Sequence, residues 1–223
     1  MLRRRHALCA VPLWALGISA LAGSYDDFFT AILRDDPDTI TALLQRGFDP
    51  NTRDAKGQVG LVIALKQESF KAFAALMSSR QTKVEVRNAQ DESPLMLAAI
   101  KGNLDAVKQL VARDADVNKT GWAPLHYAAS GGTEEHLRIA SYLLENHAYI
   151  DAASPNGTTP LMMAAQYGST DMVKLLLEEG ADPTLKNRLG LTAVNFAQRV
   201  GRTETAAQLA AAIRKRQPNA GKW

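Results

Sequence analysis

Cysteine is nearly absent from this 223-residue chain: the one thiol, Cys9, stands close to the start. Beyond it no disulfide, thiol catalysis or Cys-ligated metal can be built. Histidine is scarce too. His126, His136 and His147 each stand in a separate local context, and none has the metal-ligand spacing to another histidine. A Gly-rich phosphate loop, a G-x-S-x-G elbow and an H-E-x-x-H pair are all missing, which argues against the familiar hydrolase, nucleotide-binding and zinc-protease chemistries. Adjacent acids such as Asp26-Asp27 and Asp35-Asp36 read as solubilising charge. Nothing here carries chemistry, so the sequence points away from an enzyme, and no cofactor or metal is expected.

A long apolar run is also lacking. Ala7 to Leu21 is apolar but broken by Pro12 and Gly17, and it falls short of the roughly 18 residues a membrane span needs. With Arg3-Arg4-Arg5 before it and the small residues Ala20 and Ala22 ahead of Gly23, residues 1–22 read as a Sec-type secretory signal peptide. Cleavage would carry away Cys9 and leave no stable membrane insertion. The expected location is the periplasm of a bacterium, or secretion. Lys plus Arg would drop from 26 to 23, against 23 acidic residues, so the mature chain has no charge of one sign to offer nucleic acid. The residual basic cluster at 214–223, Arg214-Lys215-Arg216 with Lys222, reads as a flexible tail with favourable charge at a helix C-terminus.

What the chain has is repetition. Ser93-Pro94-Leu95-Met96-Leu97-Ala98-Ala99 returns as Ala123-Pro124-Leu125-His126-Tyr127-Ala128-Ala129 and as Thr159-Pro160-Leu161-Met162-Met163-Ala164-Ala165. With Leu61 before them and Val194 after, the equivalent positions are 34, 30, 36 and 33 residues apart. The short gap reflects about three residues missing before Gly121, and the long one about three added within 131–136. Both fall at turns, where length changes cost least. Within each unit the Pro suits the first turn of a helix, Gly102, Gly131 or Gly132, and Gly168 end it, and a second helix shows the 3.6 period: Leu104, Val107, Leu110, Val111, then Met172, Val173, Leu176, Leu177. Turn formers such as Asn156-Gly157 lead to the next Pro. Recurrence at this period means stacked modules.

These residues resemble ankyrin repeats, most fully over 154–184, with Asn156-Gly157, Thr159-Pro160-Leu161 and Gly180-Ala181-Asp182. The resemblance covers residues 24–213 and implies an all-α solenoid of about six helix-turn-helix repeats joined by hairpin-like loops. The repeats fall at 24–53, 54–87, 88–118, 119–151, 152–183 and 184–213, the first and last being caps. No central repeat keeps the full T-P-L-H, so none carries both partners of the family's Thr–His hydrogen bond. His126 takes the family's structural His position, His136 reads as a solvated residue of the inserted turn, and His147 stands where the family has Gly after the second helix.

The resemblance also implies function: non-catalytic binding of a partner protein on the concave side, by a chain that is monomeric alone. Its loop tips would be Ala55, Lys56, Gln58, Ala89, Gln90, Glu92, Trp122, Pro155, Asn156, Thr158 and Arg188. The helix positions beside them are Lys66, Gln67, Ile100, Lys101, Ser130, Gln166, Tyr167 and Arg199. Trp122 and Tyr167 stand out, since Trp, Tyr and Arg are the usual hot-spot residues. Trp122 has a second reading, folding back to plug the gap left by the shortened loop, and Tyr167 a second, exposure with no partner. Similar exported proteins suggest support of a stress-defence enzyme. The alternatives are an immunity protein or inhibitor acting on a toxin, and a secreted effector binding a host protein.

Overall fold

The computed structural model describes the backbone of residues 14–216 and the side chains of 23–216. Most of the expected signal peptide, and the last residues of the tail, lie outside them. Among the described residues there are twelve helices: α1 (Trp14–Leu33), α2 (Pro37–Gln45), α3 (Gly60–Gln67), α4 (Phe70–Ser78), α5 (Pro94–Ile100), α6 (Leu104–Val111), α7 (Pro124–Ala129), α8 (Glu134–Glu145), α9 (Pro160–Gln166), α10 (Thr170–Glu178), α11 (Ala193–Arg199) and α12 (Thr203–Arg216). Odd-numbered helices stack on one another as an inner row, and each packs against its even-numbered partner in an outer row. The architecture is the all-α solenoid expected. No helix among the described residues is long and apolar enough to cross a membrane.

Local chemistry sets the helix ends. Pro37, Pro94, Pro124 and Pro160 each open a helix, where a missing N–H costs nothing. The Ser93, Asn103 and Ser169 side chains accept from the backbone N–H of Met96, Ala106 and Met172 at 3.2, 2.8 and 3.0 Å, satisfying donors a helix start leaves over. His147 follows α8 with φ 66, the left-handed geometry expected of that capping position. Ahead of α5, α9 and α11 the chain forms hairpin-like loops. Asn88, Ser154 and Asn187 donate their N–H to the carbonyls of Glu92, Thr158 and Leu191 at 3.1, 3.0 and 3.0 Å.

The core is a ladder. Leu61, Leu95, Leu125 and Leu161, one per repeat, are at most 1% exposed, and each such burial is worth about 2 kcal/mol. Ala64, Ala98, Ala128, Ala164 and Ala197 are fully buried beside them and let the inner helices approach closely. At Gly168 the approach is closer still: a Cβ there would lie 2.4 Å from the Ala129 carbonyl oxygen. Val107 and Leu110, Ile139 and Leu143, and Val173 and Leu176 fill the ladder from the outer row.

Three expectations are corrected. His136 is not a solvated turn residue. It is 8% exposed within α8, its Nδ1 2.7 Å from the Thr133 hydroxyl and its Nε2 3.1 Å from the Ile100 carbonyl oxygen. The added residues thus bring an imidazole onto the end of α5, where the last carbonyls need donors. Thr158 is not an exposed tip. It is 2% exposed, because its carbonyl lies 2.9 Å from His126 Nε2. The basic tail starts later than 214: Arg214, Lys215 and Arg216 complete α12, and Arg216 donates to the Gly180 carbonyl at 2.7 Å.

Candidate protein-binding site

Repeat stacking places equivalent residues in rows along the inner face. Lys66, Ile100, Ser130, Gln166 and Arg199 form one row at the ends of α3, α5, α7, α9 and α11; Gln67, Lys101, Gly131, Tyr167 and Val200 form the next. At the fourth repeat both rows carry small residues, Ser130 and Gly131. The loop before α7 is also three residues shorter than its neighbours. A pocket of about 470 Å³ opens there, lined by Ile100, Trp122, His126, Tyr127, Ser130, Met163 and Tyr167.

The floor is His126, fully buried. Its Nδ1 accepts from the Ala123 N–H at 3.1 Å, so the proton sits on Nε2, which donates to the Thr158 carbonyl at 2.9 Å. Burial holds its pKa below the usual value of 6.5, keeping the ring neutral. The sibling repeats carry Met96 and Met162 at this position; their sulfur atoms accept from Ser93 and Thr159 N–H at 3.3 and 3.4 Å. A thioether keeps that acceptor but has no proton for the next loop. In the fourth repeat the imidazole thus makes both backbone bonds with Ala123, not Thr, standing ahead of Pro124.

The walls are aromatic. Trp122 is half-buried and stands edge-on to His126, with ring centroids 5.2 Å apart. It lines the pocket from the shortened loop. Tyr167, opposite, is 58% exposed. Tyr127 donates its phenol proton to Glu92 at 3.3 Å, and burial, then the Glu92 carboxylate, pushes its pKa up. Glu92 also accepts from the Asn88 amide at 2.6 Å and lies 3.8 Å from the Lys66 ammonium.

The other expected site residues spread along the same face. Lys56, Gln90, Asn156, Arg188 and Arg199 are exposed, and Gln58 and Gln166 are half-buried. Lys101 pairs with Glu68 at 2.7 Å. The Arg188 N–H donates to the Asn156 carbonyl at 2.9 Å, fastening the fifth and sixth loop tips. Lys56 and Gln58 line a separate hollow with Phe29 and Leu33. Of the expected residues, only Ile100, Trp122, Ser130 and Tyr167 converge on the pocket. Tyr127 and Met163 went unforeseen, though both occupy the position of Leu97, three residues after the Pro.

A larger groove of about 690 Å³ runs between α6, α8 and α10 on the outer face. Its rim is charged and partly paired: Arg138 meets Glu134 at 2.7 Å and Lys174 meets Glu178 at 3.9 Å, while Lys108, Glu145 and Asp171 also line it. Exposed i,i+4 pairs of this kind contribute little. The inner pocket is the better candidate, because apolar walls gain most from being covered.

The profile for Ankyrin repeats (3 copies) matches residues 28–120, 61–154, 113–187 and 133–220. Among curated relatives, the human transient receptor potential cation channel subfamily A member 1 is 30% identical over 166 residues, covering 70% of this chain and 15% of its own. The chicken nuclear factor NF-kappa-B p105 subunit is 29% identical over 164 residues, 70% of this chain and 16% of its own. The chain therefore spans only a small part of these relatives. Among solved structures, an ankyrin repeat domain from Acinetobacter baumannii has a TM-score of 0.71 at 24% identity, covering 83% of this chain and 96% of that one. A chain in the complex of a predatory endopeptidase with an immunity protein, from Bdellovibrio bacteriovorus, has a TM-score of 0.71 at 26% identity, covering 83% and 97%.

Proposed function

Since this chain belongs to the ankyrin-repeat family, we propose that it is a non-catalytic scaffold in the periplasm that binds one partner protein on its inner face. The observation that carries this reading is the aromatic pocket between α7 and α9, which has nothing to cover it within the described chain. A fully desolvated aromatic centre ringed by polar residues is the usual build of a binding hot spot. Export rests on the pattern of residues 1–22. Support of a stress-defence enzyme is the role proposed for the bound state.

A second reading, that the chain is an immunity protein or inhibitor, draws support from the Bdellovibrio complex, whose immunity protein is paired with an endopeptidase. The two differ in what the partner loses. An inhibitor abolishes its partner's activity at one-to-one stoichiometry, while an adaptor leaves it intact or prolongs it.

The test is affinity capture of the tagged chain, expressed with its own leader, beside Trp122→Ala plus Tyr167→Ala. One stoichiometric partner, lost in the double variant while helical circular dichroism persists, supports the function and the site. Recovery of no partner, or residence in the cytoplasm, counts against it.

A further inference from the structure

Charge on the inner face divides sharply between the two halves of the solenoid. In the segments 54–69 and 88–103, which form the inner face of the second and third repeats, the acidic residues are Asp54, Glu68, Asp91 and Glu92. Asp54 is spent on its own loop, accepting from the N–H groups of Lys56 and Gln58 at 2.9 and 2.7 Å. The other three each meet a lysine of a neighbouring repeat: Glu68 with Lys101 at 2.7 Å, Glu92 with Lys66 at 3.8 Å, and Asp91 with Lys119. Lys119 is only 7% exposed. The N-terminal half of this face is thus internally neutralised.

The C-terminal half is not. Segments 152–168 and 184–202, the inner face of the fifth and sixth repeats, contain Lys186, Arg188, Arg199 and Arg202 and no acidic residue. Arg202 is used up, donating to the carbonyls of Ala164 and Ala165 at 2.9 and 3.0 Å. Lys186, Arg188 and Arg199 are exposed, and no carboxylate pairs with them among the described residues. Apolar surface runs on from the pocket in the same direction: Tyr167 is 58% exposed, Val200 in the next repeat 45%, and Leu189 at the sixth loop tip 74%.

Pocket and charge lie side by side. Gln166 and Arg199 occupy equivalent positions on adjacent packed helices, and the Arg188 N–H is bonded to Asn156 in the loop next to Trp122's own. We infer that the partner presents an apolar side chain, seated between Trp122 and Tyr167, followed along the chain by carboxylates that meet Arg199 and Arg188. The partner segment is acidic and apolar, and it runs from the fourth repeat toward the sixth. Arginine suits this task because its planar fork takes a carboxylate by two bonds. A basic segment would meet repulsion over the sixth repeat and find the acids of the second and third already paired. This rests on the proposed function and adds the partner's chemistry to it.

The experiment uses the full chain, ¹⁵N-labelled, and three synthetic peptides: acetyl-Leu-Phe-Glu-Asp-Glu-amide, the same peptide with lysine for each acid, and the acidic peptide with alanine for Leu and Phe. The acidic-apolar peptide is expected to shift the Trp122 indole and the Arg199 side-chain resonances saturably, with a Kd of about 1 mM or tighter. The other two peptides bind at least tenfold more weakly, and about 0.5 M salt weakens the first. Arg188→Glu plus Arg199→Glu, both surface changes, reverses the preference toward the lysine peptide. Equal binding of the acidic and lysine peptides, no saturable shift at Trp122, or an unchanged preference in the reversed variant overturns the inference. A partner captured by the tagged chain despite such a result would leave the proposed function standing. Peptide binding as expected without any captured partner would retain the pocket's chemistry and remove the functional reading.

Discussion

The indole of Trp122 stands edge-on to the imidazole of His126, with ring centroids 5.2 Å apart and planes at 74°. His126 is also the residue that ties the fourth repeat to the fifth, through the Thr158 carbonyl at 2.9 Å. The pocket and the joint between repeats therefore share a side chain. Changing the floor of the site changes the stacking, whereas Tyr167, on the rim, touches only the surface.

That asymmetry separates the two aromatic residues. Tyr167→Ala should change stability by less than about 0.5 kcal/mol, as exposed positions do. Trp122→Ala, half-buried, should cost about 2 kcal/mol. Both should weaken partner binding by tenfold or more. Urea midpoints beside a binding titration check this; equal stability losses would contradict the geometry.

His126→Met imports the residue found at the equivalent positions 96 and 162. The fold should persist, since a thioether accepts the same backbone N–H, but the Thr158 carbonyl loses its donor, at about 1 kcal/mol. The pH dependence should change too. Burial lowers the folded-state pKa of His126, so on acidification the unfolded chain takes up the proton first, near 6.5. Stability falls as pH drops through that value, down to the folded pKa, and this component vanishes in the variant. Unfolding measured at about pH 7.5 and about pH 5.5 shows whether the native protein loses more stability than His126→Met.

Gly131 is required by space. A Cβ there would sit 1.8 Å from a ring carbon of His136, which the backbone cannot relieve. Gly131→Ala should cost about 1–3 kcal/mol. His136→Ala should also destabilise, by leaving the Ile100 carbonyl without its donor. Combined, the two should cost clearly less than their sum, because the clash disappears with the ring. Additive losses in a double-mutant cycle would show that the ring and Gly131 do not compete for one space.

Arg113 joins the third repeat to the second. Its guanidinium donates to the carbonyls of Met77, Ser79, Arg80 and Thr82 at 3.0, 3.0, 3.3 and 2.7 Å, gathering oxygens at the end of α4 and in the loop after it. Arg113→Ala should cost about 2–3 kcal/mol. Arg113→Lys should recover less than half, since an ammonium cannot span the fork. Thermal melts of the three proteins decide it.

His147 holds φ 66 with an exposed side chain, a geometry that costs a residue with a Cβ. Its equivalent one repeat on is Gly180, with φ 103. His147→Gly should raise stability by about 0.5–1 kcal/mol, read as a higher urea midpoint. A lower midpoint would mean that the imidazole contributes more than the backbone strain removes.

Much of the fold was legible one repeat at a time. Pro94, Pro124 and Pro160 mark helix starts because a fixed φ and a missing N–H are local properties. Leu95, Leu125 and Leu161 mark the core because a buried helix stripe must recur at a set period. His147 marks a helix end because its place in the repeat demands a left-handed residue. Trp122, Tyr167, Ile100 and Ser130 were visible as surface candidates for the same reason: repeat position dictates which way a side chain faces.

Sequence by itself thus determined the architecture, the number of units and the face on which the candidate residues stand, since these follow from φ, periodicity and repeat length within some thirty-odd residues. Tertiary structure alone decided which of those residues meet. The burial of His136 against Ile100, 36 residues earlier, the loss of Thr158 from the surface, and the pocket joining Tyr127 to Met163 all depend on how one repeat settles on the next. A shortened loop and a small residue at Ser130 can each be read in the sequence, but neither by itself marks a pocket. Stacked between Ile100 and Tyr167, they leave the space that close packing elsewhere in the solenoid has filled.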